Sequence, residues 1–351
     1  MRHRLQISSL LILLAVSPAA GANAIDQMIS RIAFGSCAKE NNPQPIWEAI
    51  VGQQPEMFLF IGDNIYGDAR ELDVLKTKWD QLGAQPGYQK LKQTCPVLAT
   101  WDDHDYGWND AGAEYPLKRE SQQLFLDFFD EPKDSPRRRQ EGVYDAQIFG
   151  PVDQRIQVIL LDTRFHRSAL KKARNNLERG EGGTGTYVPN DDPNGTMLGA
   201  EQWAWLERQL RVPARLRIIA SSIQVISNEH GWEKWGNLPR ERERFFKLIQ
   251  KTKANGVVII SGDRHTAEFS RIESGLGYPL YDITSSSLNQ RHRWRSELNP
   301  HRVGGMYYDE NFGTMLVNWA EEDPTVRMQI RDMKGQVVIQ VRHRLSELQP
   351  R

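Results

Sequence analysis

Short apolar runs alternate with amphipathic stretches along the first two thirds of the chain. The apolar runs are bounded by turn residues, as β-strands are. The predicted strands span 32–35, 57–61, 97–101, 143–149, 156–162, 216–220 and 257–260. The stretches between them repeat apolar residues at helical spacing. The predicted helices span 46–52, 71–82, 86–92, 117–129, 198–210 and 240–253.

Beyond residue 266 the pattern changes to apolar runs in direct succession. These runs predict further strands at 269–272, 281–284, 313–318, 326–332 and 336–341. Alternating units followed by a strand-rich half are typical of a mixed α/β domain, with layered sheets inside and helices outside. Neither an internal repeat nor a linker is evident. Residues 25–351 are therefore predicted to form a single domain.

A long polar segment at residues 166–199, here called the excursion, interrupts the pattern. It is rich in Lys, Arg, Asn, Gly, Asp and Pro and has almost no apolar content. Loops of this length are usually functional or disordered. We therefore expect an exposed loop, and the sequence leaves open whether it closes over a substrate.

The N-terminal stretch "MRHRLQISSLLILLAVSPAAGANA" has two arginines, a short apolar core and a small-residue cleavage triplet. These features predict a signal peptide at residues 1–24 and an exported protein, periplasmic or secreted. The apolar core is too short to span a bilayer. No other apolar run approaches the roughly 20 residues that a spanning helix needs.

The charge balance bears on the choice of partner. The sequence has 45 basic and 45 acidic residues, so no net field favours a nucleic acid or an anionic membrane. We therefore expect a small or shape-selected substrate.

Five polar clusters each follow an apolar run directly. They lie at residues 35–37, 62–68 ("GDNIYGD"), 101–110 ("WDDHDYGWND"), 162–164 and 261–265 ("SGDRH"). Ligands of α/β sheets bind in the crevice beyond the carboxyl ends of the strands, so these clusters are expected to converge on one site.

The clusters contain thiol, carboxylate, phenol and imidazole side chains, which together are enough ligands for two metal ions. The candidate ligands are Cys37, Asp63, Tyr66, Asp103, Asp263 and His265. Two ions bridged by a carboxylate such as Asp63 would clamp the attacking and leaving oxygens of an in-line displacement, as in phosphoryl or phosphodiester hydrolysis. Sulfur and phenolate indicate an iron-like or other transition metal, whereas a position lined by oxygens suits calcium, magnesium or manganese.

Each cluster also has an ordinary structural explanation. A Gly-Asp-Asn after a strand is often a turn in which the aspartate caps the next helix. Cys37 could form a disulfide with Cys95, the other cysteine of this exported chain, instead of binding a metal. Five such clusters at five strand ends nevertheless favour a metal site.

Eight sequence blocks, in order, resemble the signatures of the alkaline phosphatase D (PhoD-like) family of metallophosphoesterases. They are the Gly-Ser-Cys at 35–37, "GDNIYGD", "WDDHDYGWND", "LLDTRFHR", "LGAEQWAWLE", "GWEKWGNLPRERERF", "SGDRHTAEF" and "TSSSLNQ". The resemblance runs from about residue 31 to residue 290. It implies a four-layer αββα sandwich of the calcineurin-like type and a binuclear site. The implied activity is hydrolysis of phosphate monoesters or diesters outside the cytoplasm.

The resemblance also implies a role for each ligand. Cys37, Asp63, Tyr66 and His265 would hold iron(III). Asp63 would bridge to a second ion, calcium in the metal set that the family suggests, although other divalent ions are compatible. Asp103 and Asp263 would be further ligands.

Four other residues are implied to contact the substrate. His104 would contact the scissile phosphate and protonate the leaving oxygen, or else orient a ligand carboxylate. Asn64, Arg164 and His230 are candidates for contact with the substrate phosphate or for support of a ligand from behind, and Arg164 is also a candidate catalytic residue. Arg164 suits that role because a guanidinium matches phosphate bidentately, and its alternative is a salt bridge with an acidic neighbour.

The chain departs from longer members of the family at two places. The first block follows the predicted cleavage site closely, so the extra N-terminal β-domain of longer relatives is expected to be absent. The excursion would then replace elements that shield the site in those relatives. "TSSSLNQ" also differs from the glycine-containing version of that block.

The sequence thus predicts an exported phosphoesterase that uses a metal-bound hydroxide for in-line attack on small phosphate esters. One alternative is a phospholipase-type phosphodiesterase on the same site. Another is a non-catalytic module whose acidic loops hold structural calcium. That second alternative leaves the histidines, the phenol and the thiol unexplained, because calcium prefers oxygen ligands.

Overall fold

A computed structural model describes residues 27–175, 185–291 and 297–351 of the chain. The signal peptide predicted at residues 1–24 lies outside these ranges, so it stays a prediction. No helix in the described ranges combines the length and the apolar character needed to cross a membrane.

The described residues form strands and helices in the order that the sequence pattern predicts. The strands are β1 (Arg31–Gly35), β2 (Met57–Ile61), β3 (Val97–Thr100), β4 (Asp145–Phe149), β5 (Ile156–Leu160), β6 (Lys171–Lys172), β7 (Tyr187–Val188), β8 (Leu216–Ser221), β9 (Val257–Ser261), β10 (Ala267–Glu273), β11 (Pro279–Ser285), β12 (Arg302–Tyr307), β13 (Asn311–Asn318), β14 (Thr325–Asp332) and β15 (Val337–Arg344). The α-helices are α1 (Ile46–Gly52), α2 (Leu72–Gly83), α3 (Pro86–Thr94), α4 (Asp103–Tyr106), α5 (Lys118–Phe128), α6 (Gly199–Leu210) and α7 (Pro239–Thr252).

Two mixed sheets occupy the centre. The first has the strand order β15-β14-β13-β1-β2-β3, and the second has the order β12-β10-β11-β9-β8-β5-β4. Strands β1, β2 and β3 run parallel in the first sheet, and β5, β8, β9 and β11 run parallel in the second. Parallel strands end at the same edge, so each sheet collects the loops that follow its strands at one side.

Both faces of each sheet are covered, which explains the nearly continuous apolar sequence of the central strands. In β2, for example, Met57, Leu59 and Ile61 point into the layer between the two sheets. Phe58 and Phe60 point to the opposite face, where they pack with residues of α1, α2, α3 and α5. On the outer face of the second sheet, Ile219 of β8 packs in the same way with α6 and α7. The α/β class and the four layers, helix, sheet, sheet and helix, are confirmed.

Four short elements were not predicted from the sequence. Strand β12 contains two glycines and no buried residue, so it has no apolar alternation, and it forms by pairing with β10. Helix α4 has four residues, too few to show a helical period. Strands β6 and β7 lie within the excursion and pair with each other.

The layer between the sheets can be tested with Leu59, which is completely buried there. Leu59→Ala is expected to lower the free energy of unfolding by about 2 to 5 kcal/mol, because it removes apolar contacts and leaves a cavity. The control is Val338→Ala on edge strand β15, where the side chain is exposed. This substitution should change the free energy of unfolding by about 0.5 kcal/mol at most. Urea unfolding followed by tryptophan fluorescence measures both. Equal changes in the free energy of unfolding for the two variants would contradict close packing between the sheets.

Candidate metal centre

The loops that carry the predicted ligands have an unusual backbone. Cys37, Asp63, Asp263 and His265 have φ angles of 62°, 49°, 69° and 54°, in the left-handed region. A non-glycine residue in this region costs about 1 to 3 kcal/mol, and such residues cluster at functional sites. The neighbouring Gly62 has φ 101°, and a Cβ there would lie 2.6 Å from the Cβ of Asp102. The chain therefore accepts strain in order to bring these loops together.

Four of the predicted ligands meet in one group. The thiol of Cys37 and the phenol of Tyr66 each donate a hydrogen bond to Asp63 Oδ2, both at 3.2 Å. Tyr66 Oη also lies 2.9 Å from Nε2 of His265. Thiol, phenol, carboxylate and imidazole thus surround one point, as predicted from the sequence for the iron-like position.

A second group consists of carboxylates only. Asp63, Asp102, Asp103 and Asp263 each present an oxygen, and these oxygens lie within 4.8 Å of one another. Asp63 belongs to both groups, so its carboxylate lies where a bridging ligand would. The grouping of the six predicted ligands agrees with the expectation from sequence, while their roles as ligands stay predictions.

The hydrogen bonding of these carboxylates tests whether the site suits cations. Within the described ranges, Asp63 Oδ1, Asp102 Oδ2, Asp103 Oδ1 and Asp263 Oδ2 are buried and accept no hydrogen bond. Buried polar atoms without a partner are rare, because leaving water uncompensated is costly. Several such oxygens facing one another match the oxygen ligation of a hard cation, and the neighbouring thiol, phenol and imidazole suit a softer one.

The electrostatics of the site agree with this. Burial raises the pKa of Asp63 and Asp263 well above the usual range, and it raises the pKa of the Cys37 thiol to about 11. Burial would also raise the pKa of Asp103, but His104 and Arg164 hold it below its usual value. A bound cation favours the deprotonated forms of thiol and carboxyl groups and would thus reverse the upward shifts.

His104 lies at the edge of the same group. Its Nδ1 is 2.7 Å from Asp68 Oδ1, and its ring packs on that of Tyr66 with the centroids 4.3 Å apart. Burial alone would lower the pKa of His104, but the carboxylates of Asp103 and Asp63 and the hydrogen bond with Asp68 raise it to about 11. A protonated imidazole at the site is the state that proton donation requires.

The groups open into a cavity of about 200 Å³. Its lining includes the predicted residues Asp63, Asp103, His104, Asp263 and His265, together with five further residues. These five are Asn109, Asp110, Trp232, Glu233 and Arg264. Arg264 stands between two predicted ligands in "SGDRH", and this position was the signal that could have identified it.

Arg264 contributes a guanidinium to the wall of this cavity. Its guanidinium carbon is 5.4 Å from the ring centroid of Trp232, and it forms an ion pair with Glu297. Its Nε has no hydrogen-bond partner among the described residues. The cavity wall thus combines an aromatic ring with a guanidinium.

Arg164 is not placed to contact a substrate phosphate. Its side chain is completely buried, its Nε donates to Asp102 Oδ1 at 2.6 Å, and its Nη1 lies 2.6 Å from Glu233 Oε2. The salt-bridge alternative is therefore the one that the structure shows. Arg164 acts by neutralising buried carboxylates and joining the loops that carry them.

His230 and Asn64 were also predicted to contact the substrate phosphate, and the structure places them differently. His230 does not line the cavity; its Nε2 is 3.0 Å from Gln224 Oε1, and its Nδ1 accepts the amide of Trp232, so it supports that loop. Asn64 is buried, and its Nδ2 donates to the Thr100 carbonyl at 3.0 Å, while its Oδ1 is without a donor in the described residues. Direct substrate contact is therefore not supported for His230.

The disulfide alternative is contradicted. Cys37 and Cys95 are both free and buried. Cys37 contacts Asp63 and the hydroxyl of Ser286, whereas Cys95 packs among apolar residues outside the first sheet. The Cys37 thiol is thus available to the metal group.

Comparison with known sequences indicates one family. A profile described as PhoD-like phosphatase matches residues 32–349. Alkaline phosphatase D of Bacillus subtilis (strain 168) is 24% identical over 308 residues, which cover 73% of this chain and 48% of that protein. The chain thus spans about half the length of this curated relative.

Solved structures show the same fold. A structure of PhoD superposes with a TM-score of 0.67 at 18% identity, covering 91% of this chain and 73% of the other. Purple acid phosphatase PPD1 from yellow lupin (Lupinus luteus) superposes with a TM-score of 0.61 at 14% identity, covering 90% of this chain and 54% of the other. At these identities the likeness concerns the fold, and it agrees with the expected calcineurin-like type.

The role of Arg164 as a buried counter-charge can be tested by stability. Arg164→Ala leaves Asp102 and Glu233 without this partner and is expected to lower the free energy of unfolding by about 3 to 5 kcal/mol. Arg164→Lys should also lower the free energy of unfolding, since the ammonium of lysine cannot pair with both carboxylates as the planar guanidinium does. Arg119→Ala, which breaks an exposed pair with Glu141, is the control, with an expected effect of about 0 to 1 kcal/mol.

Chemical unfolding and steady-state kinetics of the three variants distinguish a role as buried counter-charge from a role in contacting the substrate phosphate. An Arg164→Lys variant of unchanged stability with a raised KM would instead support contact with phosphate.

Proposed function

This chain belongs to the PhoD-like phosphatase family, and from that premise we propose that it is an exported metal-dependent phosphoesterase acting on small phosphate esters. The observation that carries the proposal is the position of Asp63, whose carboxylate belongs to both ligand groups. The unpartnered buried oxygens around it support a pair of cations. Export rests on the signal peptide predicted from residues 1–24.

The proposed ligand sets follow the two groups. Cys37, Tyr66 and His265 would hold a soft or trivalent ion, with iron(III) the most consistent. Asp103 and Asp263 would hold an oxygen-preferring ion, with calcium the most consistent, and Asp63 would contact both. When bound, two such ions supply a nucleophile from water at neutral pH and offset charge on the phosphoryl oxygens.

Two side chains of the cavity are proposed to act on the substrate itself. His104 would donate a proton to the leaving oxygen, with Asp68 fixing the orientation of the ring. Arg264 would donate hydrogen bonds to a phosphoryl oxygen, the role for which Arg164 is too buried. Trp232 lies beside Arg264. Its ring would contact the organic part of the phosphate ester, which extends away from the metal ligands.

The proposal predicts a chelator-sensitive hydrolase. Elemental analysis of the purified protein should find two metals, and a chelator should abolish hydrolysis of an aryl phosphate or a bis-aryl phosphate.

Asp63→Asn should reduce turnover by at least about 100-fold, because it removes the shared charge. It should leave unfolding nearly unchanged, because it also relieves repulsion among buried carboxylates. Asp80→Asn, at an exposed helical pair, is the control.

The ratio of the two hydrolysis rates distinguishes a monoesterase from a diesterase. Stoichiometric calcium alone, with hydrolysis of neither ester, would favour the non-catalytic module. Normal turnover by Asp63→Asn would refute the binuclear assignment.

The role of His104 predicts a dependence on the leaving group. His104→Ala should slow hydrolysis of an alkyl ester by about 100-fold or more, because a poor leaving group needs a proton. An activated nitrophenyl ester should be affected much less. His343→Ala, whose imidazole contacts Tyr281 away from the cavity, should change neither rate. Equal losses on both esters would mean that His104 acts only by charge or position.

A further inference from the structure

The excursion places a buried phenol against Asp110, which lines the cavity. Tyr187, in strand β7, is only 7% exposed, and its hydroxyl donates to Asp110 Oδ2 at 2.6 Å. The backbone N–H of Asp110 in turn donates to Asp103 Oδ2, also at 2.6 Å. The other oxygen, Asp103 Oδ1, is buried and receives no hydrogen bond within the described ranges. The two contacts thus hold Asp103 by one oxygen and leave Oδ1, which lies 3.8 Å from Nη2 of Arg164, without a hydrogen bond in the described ranges.

Asp110 needs such support because its surroundings oppose its position. Its φ of 58° is in the left-handed region. Its carboxylate also presents an oxygen within 4.8 Å of oxygens from Asp103 and Glu233. Arg167 offsets part of this repulsion, since its guanidinium lies 3.0 Å from Glu233 and donates to the carbonyl of Asp110. The Tyr187 hydroxyl donates to the Asp110 carboxylate itself.

Strand β7 is fixed where it can supply this donor. The N–H of Tyr187 donates to the Gly231 carbonyl at 2.7 Å, and Gly185 forms a β-bridge with Gly231. Gly185 has φ 87°, and a Cβ there would lie 2.1 Å from the carbonyl carbon of Gly231, so only glycine fits. Gly231 precedes Trp232, which lines the cavity. Strand β7 therefore connects the Trp232 loop to the loop that holds Asp103.

From these contacts we propose that Tyr187 is a positioning residue for the oxygen-lined metal position, acting through Asp110 on Asp103. The inference rests on the proposed function, because it takes Asp103 as a ligand of a divalent cation. It assigns a role to strand β7 of the excursion: the strand completes the support of a ligand through the contact of Tyr187 with Asp110.

Removal of one hydroxyl tests the proposal. In Tyr187→Phe, calcium should be held about tenfold more weakly, as expected when an outer partner of a ligand is lost. Calcium affinity is measured on the purified holoprotein by competition with a chromophoric chelator, and iron content by elemental analysis. Iron content should be unchanged, because Asp103 does not belong to the group of Cys37, Tyr66 and His265.

The matched control is Tyr278→Phe. Tyr278 is also buried, and its hydroxyl donates to the Ala254 carbonyl at 2.6 Å, within the layer between the second sheet and its helices. It should lose a similar amount of thermal stability while keeping the calcium affinity of the wild type. If both variants lose calcium equally, or if Tyr187→Phe loses iron in the same proportion, the proposal is overturned in favour of general loosening.

A second substitution tests the route through Asp110. In an Asp110→Ala background, which lacks the acceptor for the Tyr187 hydroxyl, Tyr187→Phe should weaken calcium binding by less than about twofold, since residues that act through one another are not additive. A full tenfold loss of calcium affinity in that background would show that Tyr187 does not act through Asp110. A wild-type protein that binds no divalent ion would overturn the inference together with the proposed function. Wild-type metal binding and turnover with an unaffected Tyr187→Phe would overturn the inference alone.

Discussion

Repulsion among carboxylates that are held together out of water is the constraint on which the rest of this structure depends. Four aspartates present oxygens to one another at the edge where the strands of both sheets end. Like charges this close cannot all remain ionised in a poorly solvated region without counter-charges. Arg164 is one counter-charge, held between Asp102 and Glu233. For the oxygens that Arg164 does not reach, bound cations would supply the missing counter-charge.

The backbone at this edge pays a second cost in conformation. The residues that bear the ligands turn sharply after their strands, in a left-handed conformation that side chains normally avoid. Glycine allows the loops to approach: a Cβ at Gly262 would lie 2.6 Å from Ser36 Oγ and 2.8 Å from the Ser222 carbonyl. Neither feature stabilises a core. Both are consistent with a fold that gives up stability in order to bring reactive side chains to one point.

The grouping of Asp63 and Cys37 was predictable because each directly follows a strand, and parallel strands end at a common edge. Arg164 follows a strand in the same way, yet order along the chain does not show whether a guanidinium will meet a carboxylate or open space. Tyr187 lay beyond prediction, since the excursion has no apolar period and its contact with Asp110 exists only in the folded chain. The strand at 302–307 was missed for a related reason, because pairing and not side-chain burial forms it.

The first sheet joins the two ends of the described chain. Strand β1 pairs with β13 on one side and with β2 on the other, and the indole of Trp319 donates to the carbonyl of Ile29 across 290 residues. Contacts between such distant residues must close very long loops, which slows folding. The sheet that carries Cys37 and Asp63 therefore reaches its final form only after β13 and β14 have been synthesised. The loops that bear these two residues cannot take their final arrangement before that point, so the site assembles only once β13 has paired with β1.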